Sequence, residues 1–133
     1  MSSNQKITGL IDKLESNQIF VFGSNEAGAH GKGAVLQALK FGAIRGVGES
    51  IQWNTYGIPT KNKKIKTLSI SKIDKYVQKF NKYASENTHL IFLVTSIGCG
   101  YAGYEPKDMA PLFKDAINLN NVYLPQEFWN ILQ

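Results

Sequence analysis

The chain has 133 residues, the length of one ordinary domain, and its 43% hydrophobic and 19% charged residues suit a globular core that needs no staples. A single cysteine, Cys99, and two histidines, His30 and His89, exclude a disulfide framework and a cysteine-only zinc site, and no metal-ligand spacing stands out. The formal charge of +5 comes largely from Lys61, Lys63, Lys64 and Lys66 and from Lys72, Lys75, Lys79 and Lys82, which read either as attraction to a polyanion or as a solvated loop and helix face.

No long apolar stretch follows Met1, so neither a signal peptide nor a membrane span is expected, and a cytoplasmic protein is the default. Ile7, Leu10, Ile11 and Leu14 fall at helical spacing and predict a short opening helix over 6–16. Residues 19–22 are a β-branched and aromatic run stopped by Gly23, a buried strand. Residues 33–41 read as a helix closed by Gly42. Residues 53–58 alternate loosely as a strand ended by Pro59, with Trp53 and Tyr56 assigned to the core. The lysine-rich stretch 61–66 reads as an exposed turn. Ser69 or Ser71 then caps a long helix whose apolar stripe is Ile73, Val77, Phe80 and Tyr83 or Ala84. Residues 90–95 form a second buried strand, with Phe92 in the core. Residues 106–119 are predicted as a helix with Pro106 in its first turn, turning Met109, Leu112, Phe113 and Ala116 inward. Residues 121–124 are a last short strand, and 125–132 a closing turn or helix. Alternating strands and helices without a linker predict one α/β domain over 1–133 with a mixed or parallel sheet, whose ligands bind beyond the carboxyl ends of the strands.

Two glycine-rich loops leave buried strands. The first runs from Phe22 to Ala34 and carries Gly23, Gly28, Gly31 and Gly33 with Ser24, Asn25, His30 and Lys32. Glycines let the backbone approach a ligand, and successive amides with a following helix N-terminus make an anion site. The spacing matches neither a P-loop nor a dinucleotide fingerprint. The second loop, Thr95-Ser96-Ile97-Gly98-Cys99-Gly100-Tyr101-Ala102-Gly103-Tyr104, follows the strongest strand and again exposes amides, with two tyrosines to wall in a ligand. Both loops are expected to face one crevice; the alternative is that both are tight turns. A third glycine-rich stretch, 41–50, reads as a connector or as a lip to the site.

Together these segments resemble the macrodomain superfamily. Phe22-Gly23-Ser24-Asn25 followed by Gly31-Lys32-Gly33-Ala34 looks like the family's element that cradles the distal ribose and a phosphate. Val94-Thr95-Ser96-Ile97-Gly98-Cys99-Gly100-Tyr101-Ala102-Gly103 is similar to the pyrophosphate loop of the terminal ADP-ribose–protein glycohydrolase branch, and the chain to short bacterial and phage proteins of the same kind. Tyr56-Gly57-Ile58-Pro59-Thr60 takes the place of the superfamily's central strand. The resemblance implies a three-layer α/β/α sandwich with a central mixed sheet. Its implied ligand is ADP-ribose or a related nucleotide, with no cofactor, no metal and no membrane, in a monomer or weak homo-oligomer. The glycohydrolase branch uses a lysine before its Gly-x-Gly and an acid within the second loop; Ala29 and Ala102 stand there, so that lysine-adduct chemistry is not implied.

His30, between glycines, is the candidate acid or base, since histidine titrates near neutral pH. Asn25 suits a ribose hydroxyl, or caps its own turn. Lys32 neutralises a phosphate or points into water. Cys99 reads as a nucleophile only if His30 reaches it, and otherwise as a small residue packed beneath the loop. Glu26 and Glu49 are the remaining acids near the glycine segments. Three functions follow: a nucleotide binder, a hydrolase of an ADP-ribose derivative, and a nucleic-acid- or partner-binding module using the lysine-rich face.

Overall fold

The computed structural model describes residues 6–28, 38–42, 48–100 and 102–132. Six strands, β1 (Ile7–Thr8), β2 (Gln18–Asn25), β3 (Ser50–Gln52), β4 (Thr55–Lys61), β5 (Ile91–Val94) and β6 (Val122–Pro125), form one sheet in the order β1-β6-β5-β2-β4-β3. All neighbouring pairs are parallel except β3 with β4, an antiparallel hairpin at the edge. The helices are α1 (Ile70–Glu86), α2 (Pro106–Met109), a 3₁₀ helix (Ala110–Asn118) and α3 (Gln126–Leu132). Ala38, Leu39 and Lys40 are also helical. Among the described residues no helix is long and apolar enough to cross a membrane.

The alternation of β2 divides the core. Ile19 and Val21 pack on one face with Tyr56, Ile73, Val77, Phe80, Phe92, Phe113 and Phe128. Phe20 and Phe22 turn to the other face, against Ala38, Leu39, Phe41, Ile11 and Leu14. Both faces of β2 are therefore covered, as a near-continuous apolar run in a parallel sheet requires. On the first face Phe80 meets Tyr56, Phe92 and Phe113 edge-on, with centroids 5.1, 5.4 and 6.4 Å away. That geometry suits the ring quadrupole.

Three sequence expectations are corrected. No helix opens the chain: Ile7 enters β1 beside β6, held by the Leu124 amide and the Trp129 indole, which both donate to the Lys6 carbonyl at 3.0 Å. Gly9 interrupts the helical pattern, and Leu10, expected on its buried face, is 98% exposed. Trp53 is not core but 78% exposed, because it occupies the turn of the β3–β4 hairpin with φ +53°. β4 starts after it and continues through Pro59. β3 begins opposite Gly57, so Pro59 interrupts no outer ladder there. Residues 106–119 do not form one α-helix: Pro111 lacks the N–H that the next turn needs, and the chain tightens to 3₁₀ from Ala110.

Other expectations stand. Ser69 is the cap of α1, its hydroxyl accepting from the Lys72 amide at 3.3 Å, and Ile73, Val77, Phe80 and Ala84 are buried along that helix. Tyr56 and Phe92 are core. β5 and β2 are central, whereas β4, given the place of the central strand by the resemblance, lies next to the sheet edge.

Candidate functional site

β2 and β5 are adjacent, parallel and central, so their carboxyl ends open side by side. From there the chain diverges. The segment after β2 leads to the helical residues that cover Phe20 and Phe22, whereas the segment after β5 leads to Met109 and Phe113 on the opposite face. Neighbouring strands whose connections part to opposite faces leave a crevice between them.

The two loops meet there. A Cβ at Gly23 would lie 3.5 Å from the Gly98 nitrogen and 3.6 Å from the Thr60 methyl, so any larger side chain at 23 would occupy the space between them. β4 carries an extra residue at this level: Ser24 pairs with Pro59 and Asn25 with Lys61, leaving Thr60 as a bulge that turns its hydroxyl to the Ser24 carbonyl, 3.2 Å away. The Ser24 hydroxyl is 97% withdrawn from solvent with its residue and donates to the Gly48 carbonyl. It therefore fixes the backbone rather than facing a ligand. Gly48 and Gly57 are what make that approach fit. A Cβ at Gly48 would overlap the Asn25 carbonyl, and one at Gly57 would lie 2.6 Å from the Gly48 oxygen. Asn25 is buried, and its carbonyl accepts from Gly28, which closes the turn with φ +69°.

The second loop is tied to the sheet at Thr95 and then to itself. The Thr95 amide and hydroxyl reach the Val21 carbonyl at 3.1 and 2.8 Å, Ile97 donates to Thr95, and Cys99 donates to Ser96. The amides of Ser96, Gly98 and Gly100 donate to no acceptor among the described residues. Gly98 has φ +78° and sits against Met109; Gly100 is exposed, with nothing within 4 Å of a Cβ built on it. Three amides on one loop without an acceptor among the described residues are the raw material of an anion site. The loop is braced from the lysine-bearing turn: Thr67 donates to the Ala102 carbonyl at 2.8 Å, and the Tyr104 hydroxyl to the Leu68 carbonyl at 2.7 Å.

Comparison with known proteins finds no matching family model, no matching curated protein and no matching solved structure. The site therefore stands on its geometry.

Of the residues expected there, Gly23, Ser24, Asn25, Ser96, Ile97, Gly98, Cys99, Gly100 and Ala102 gather at the ends of β2 and β5. Ile97 is buried beneath the loop rather than lining it. His30, Gly31, Lys32, Gly33, Ala34 and Tyr101 lie outside the described residues. Cys99 is half-buried, 3.6 Å from the Ile97 carbonyl. Burial, followed by the charges of Glu127, Asp108 and Glu105, pushes its thiol up to about 11. It is protonated at neutral pH, which suits a packing residue and not a nucleophile. Among the described residues no cluster of His, Cys, Asp and Glu is arranged to hold a metal.

Glu26, one of the two acids near the glycine segments, has three partners in the fold. Its amide donates to the Lys61 carbonyl at 2.8 Å, its carboxylate accepts from the Tyr76 hydroxyl, and Lys72 lies 3.9 Å away. Burial first, then this hydrogen bond and the charges of Glu26 and Glu49, raise the Tyr76 phenol well above its ordinary value. The pair ties the first loop to α1 across 50 residues of sequence, a contact that no local pattern announces.

Proposed function

We propose that the protein binds ADP-ribose, or a related phosphate-bearing nucleotide, between the two glycine loops of a macrodomain-like three-layer α/β/α domain. What supports the reading is the crevice at the carboxyl ends of β2 and β5, where the Ser96, Gly98 and Gly100 amides have no acceptor among the described residues. Such amides hold a pyrophosphate without a metal, and glycine leaves room for close approach. The first loop lies directly across, with Gly23 against Gly98.

A hydrolytic reading draws on Glu26, whose carboxylate is oriented by Tyr76 and Lys72 one residue beyond Asn25. As a general base it would take the proton of an attacking water.

Isothermal titration with ADP-ribose tests the binding. Saturable heat that disappears in Gly100→Val is expected; Gly100 has open space around it, so the branched side chain leaves the fold undisturbed while crowding a ligand held on the Gly100 amide. Absence of heat at millimolar ligand would sink the reading. Incubation with an ADP-ribosylated substrate, with Glu26→Gln as control, separates binder from hydrolase.

A further inference from the structure

Beside the crevice the charge is unevenly placed. Residues 61–82 hold eight lysines against one acid, Asp74, a surplus larger than the +5 of the whole chain. The fold sorts these lysines into two sets. Lys72, Lys75, Lys79 and Lys82 recur every three or four residues of α1 and so share one face, turned away from buried Ile73, Val77, Phe80 and Ala84. From Lys72 to Lys82 the row is about 15 Å long at the rise of an α-helix. Lys63, Lys64 and Lys66 stand exposed on a braced turn. The Asn62 side chain there accepts from the Lys64 and Lys66 amides at 2.9 and 3.1 Å, and the Asn62 amide donates to the Lys66 carbonyl at 2.8 Å. Three residues beyond Lys66, Ser69 caps α1, so turn and row make one ridge.

Counter-charges account for only part of it. Lys72 faces Glu26 and Lys79 pairs with Glu49. Among the described residues Lys63, Lys64, Lys66, Lys75 and Lys82 make no ion pair. Glu86 stands at the far end of the row, and Asp74 accepts from Gln78 on the helix flank. The acids Glu105, Asp108, Asp115 and Glu127 belong to the segments around β6, which share the α1 face of the sheet and meet α1 where Gln78 donates to the Leu112 carbonyl at 3.2 Å.

We infer that this ridge binds the phosphate backbone of a nucleic-acid strand, independently of the crevice. A narrow line of ammonium groups, five of them without an ion pair among the described residues, matches a linear polyanion. An anionic membrane fits less well, because α1 buries its apolar side in the core and the row itself carries no apolar residue to insert. Exposed Ile65 and Ile70 lie only at its turn end. Lysines are point charges without the planar fork that reads base edges, so the contact is independent of sequence. Five neutralised phosphates on a single strand give a log–log salt slope of about −3.5.

Fluorescence anisotropy of the full chain with a labelled mixed-sequence oligonucleotide, across a salt series, tests this. Saturable binding with that slope is expected, together with a loss of about tenfold or more in Lys63→Glu/Lys64→Glu and in Lys75→Glu/Lys82→Glu. Gly100→Val binds the oligonucleotide like the parent, which separates the ridge from the crevice. Absence of binding at low salt, or charge reversals that leave affinity unchanged, would overturn the inference. Co-sedimentation with phosphatidylserine vesicles without oligonucleotide binding would overturn it in favour of a lipid surface.

Discussion

Two glycines of the second loop, two residues apart, are expected to respond in opposite ways to a side chain. Gly98 has φ +78°, and a Cβ there would lie 2.5 Å from the Met109 sulfur and 3.1 Å from its Cγ. The left-handed backbone alone costs a non-glycine residue about 1–2 kcal/mol. Met109 is fully buried, so displacing it adds about 1–3 kcal/mol of overpacking. Gly98→Ala is therefore expected to lose about 2–5 kcal/mol, a fall in Tm of roughly 8–20 °C for a domain of this size. Gly100 lacks the positive φ and meets nothing within 4 Å, so Gly100→Ala melts within about a degree or two of the parent. Thermal denaturation followed by circular dichroism measures both. Adding Met109→Ala to Gly98→Ala removes the steric part but not the backbone part, so the double variant is less destabilised than the two changes summed, by about 1–3 kcal/mol. If Gly98→Ala melted with the parent, or the two changes summed without coupling, the packing of this loop on Met109 would be wrong as described.

Further expectations test other parts of the molecule. The Cys99 thiol, pushed up to about 11, is about one part in a thousand thiolate at pH 8, so its alkylation by iodoacetamide climbs about tenfold per pH unit from 8 to 10; a plateau below pH 9 would mark an activated thiol instead. Asn121 is buried and donates to the Ala84 and Asn87 carbonyls at 3.0 and 3.2 Å, so Asn121→Ala costs about 2 kcal/mol in urea denaturation by removing two hydrogen bonds at the end of α1, whose carbonyls keep those from the Asn87 and Leu90 amides. Trp53 adopts φ +53° while 78% exposed, so Trp53→Gly stabilises by about 0.5–1 kcal/mol, and a fall in Tm would show that the indole makes a contact worth more than its strain.

Much of the fold is local and legible. The Ile19 to Phe22 run, the helical stripe of Ile73, Val77 and Phe80, the Ser69 cap and the basic turn follow from periodicity and capping alone. What escapes are consequences of distant partners. Ile7 joins a strand because β6 offers it an edge, and Leu10 is left in water, so a helix-spaced quartet forms no helix. The 3₁₀ stretch was announced by Pro111, two residues after Met109, a signal that the apolar spacing of Phe113 and Ala116 masks. In the site, the glycines beyond Phe22 and Val94 mark the loops. The need for glycine at 48 and 57 arises only when β4 docks beside β2 and brings Gly48 against Asn25. Ser24 illustrates the limit: its type and position suit a ligand, and the fold spends its hydroxyl on Gly48.

The charges around the second loop also bear on how an anionic ligand would lie. On the β6 side, Glu127, Asp108 and Glu105 all raise the Cys99 thiol, so the potential there is unfavourable to phosphate. On the β4 side the loop is held by Thr67, next to Lys66, and the first loop is held by the Lys61 carbonyl. A nucleotide bound between the loops would therefore meet acids toward α2 and α3, and toward the turn before α1 both lysines and Glu26, which Lys72 offsets from 3.9 Å. Its phosphates would be drawn to the β4 side of the Ser96, Gly98 and Gly100 amides, leaving the less charged ribose or base nearer Cys99. Charge reversal at Lys66 should then weaken a pyrophosphate ligand more than a nucleoside of the same base, whereas Glu127→Gln should slightly strengthen it. Equal effects on nucleotide and nucleoside would mean that these charges do not orient the ligand.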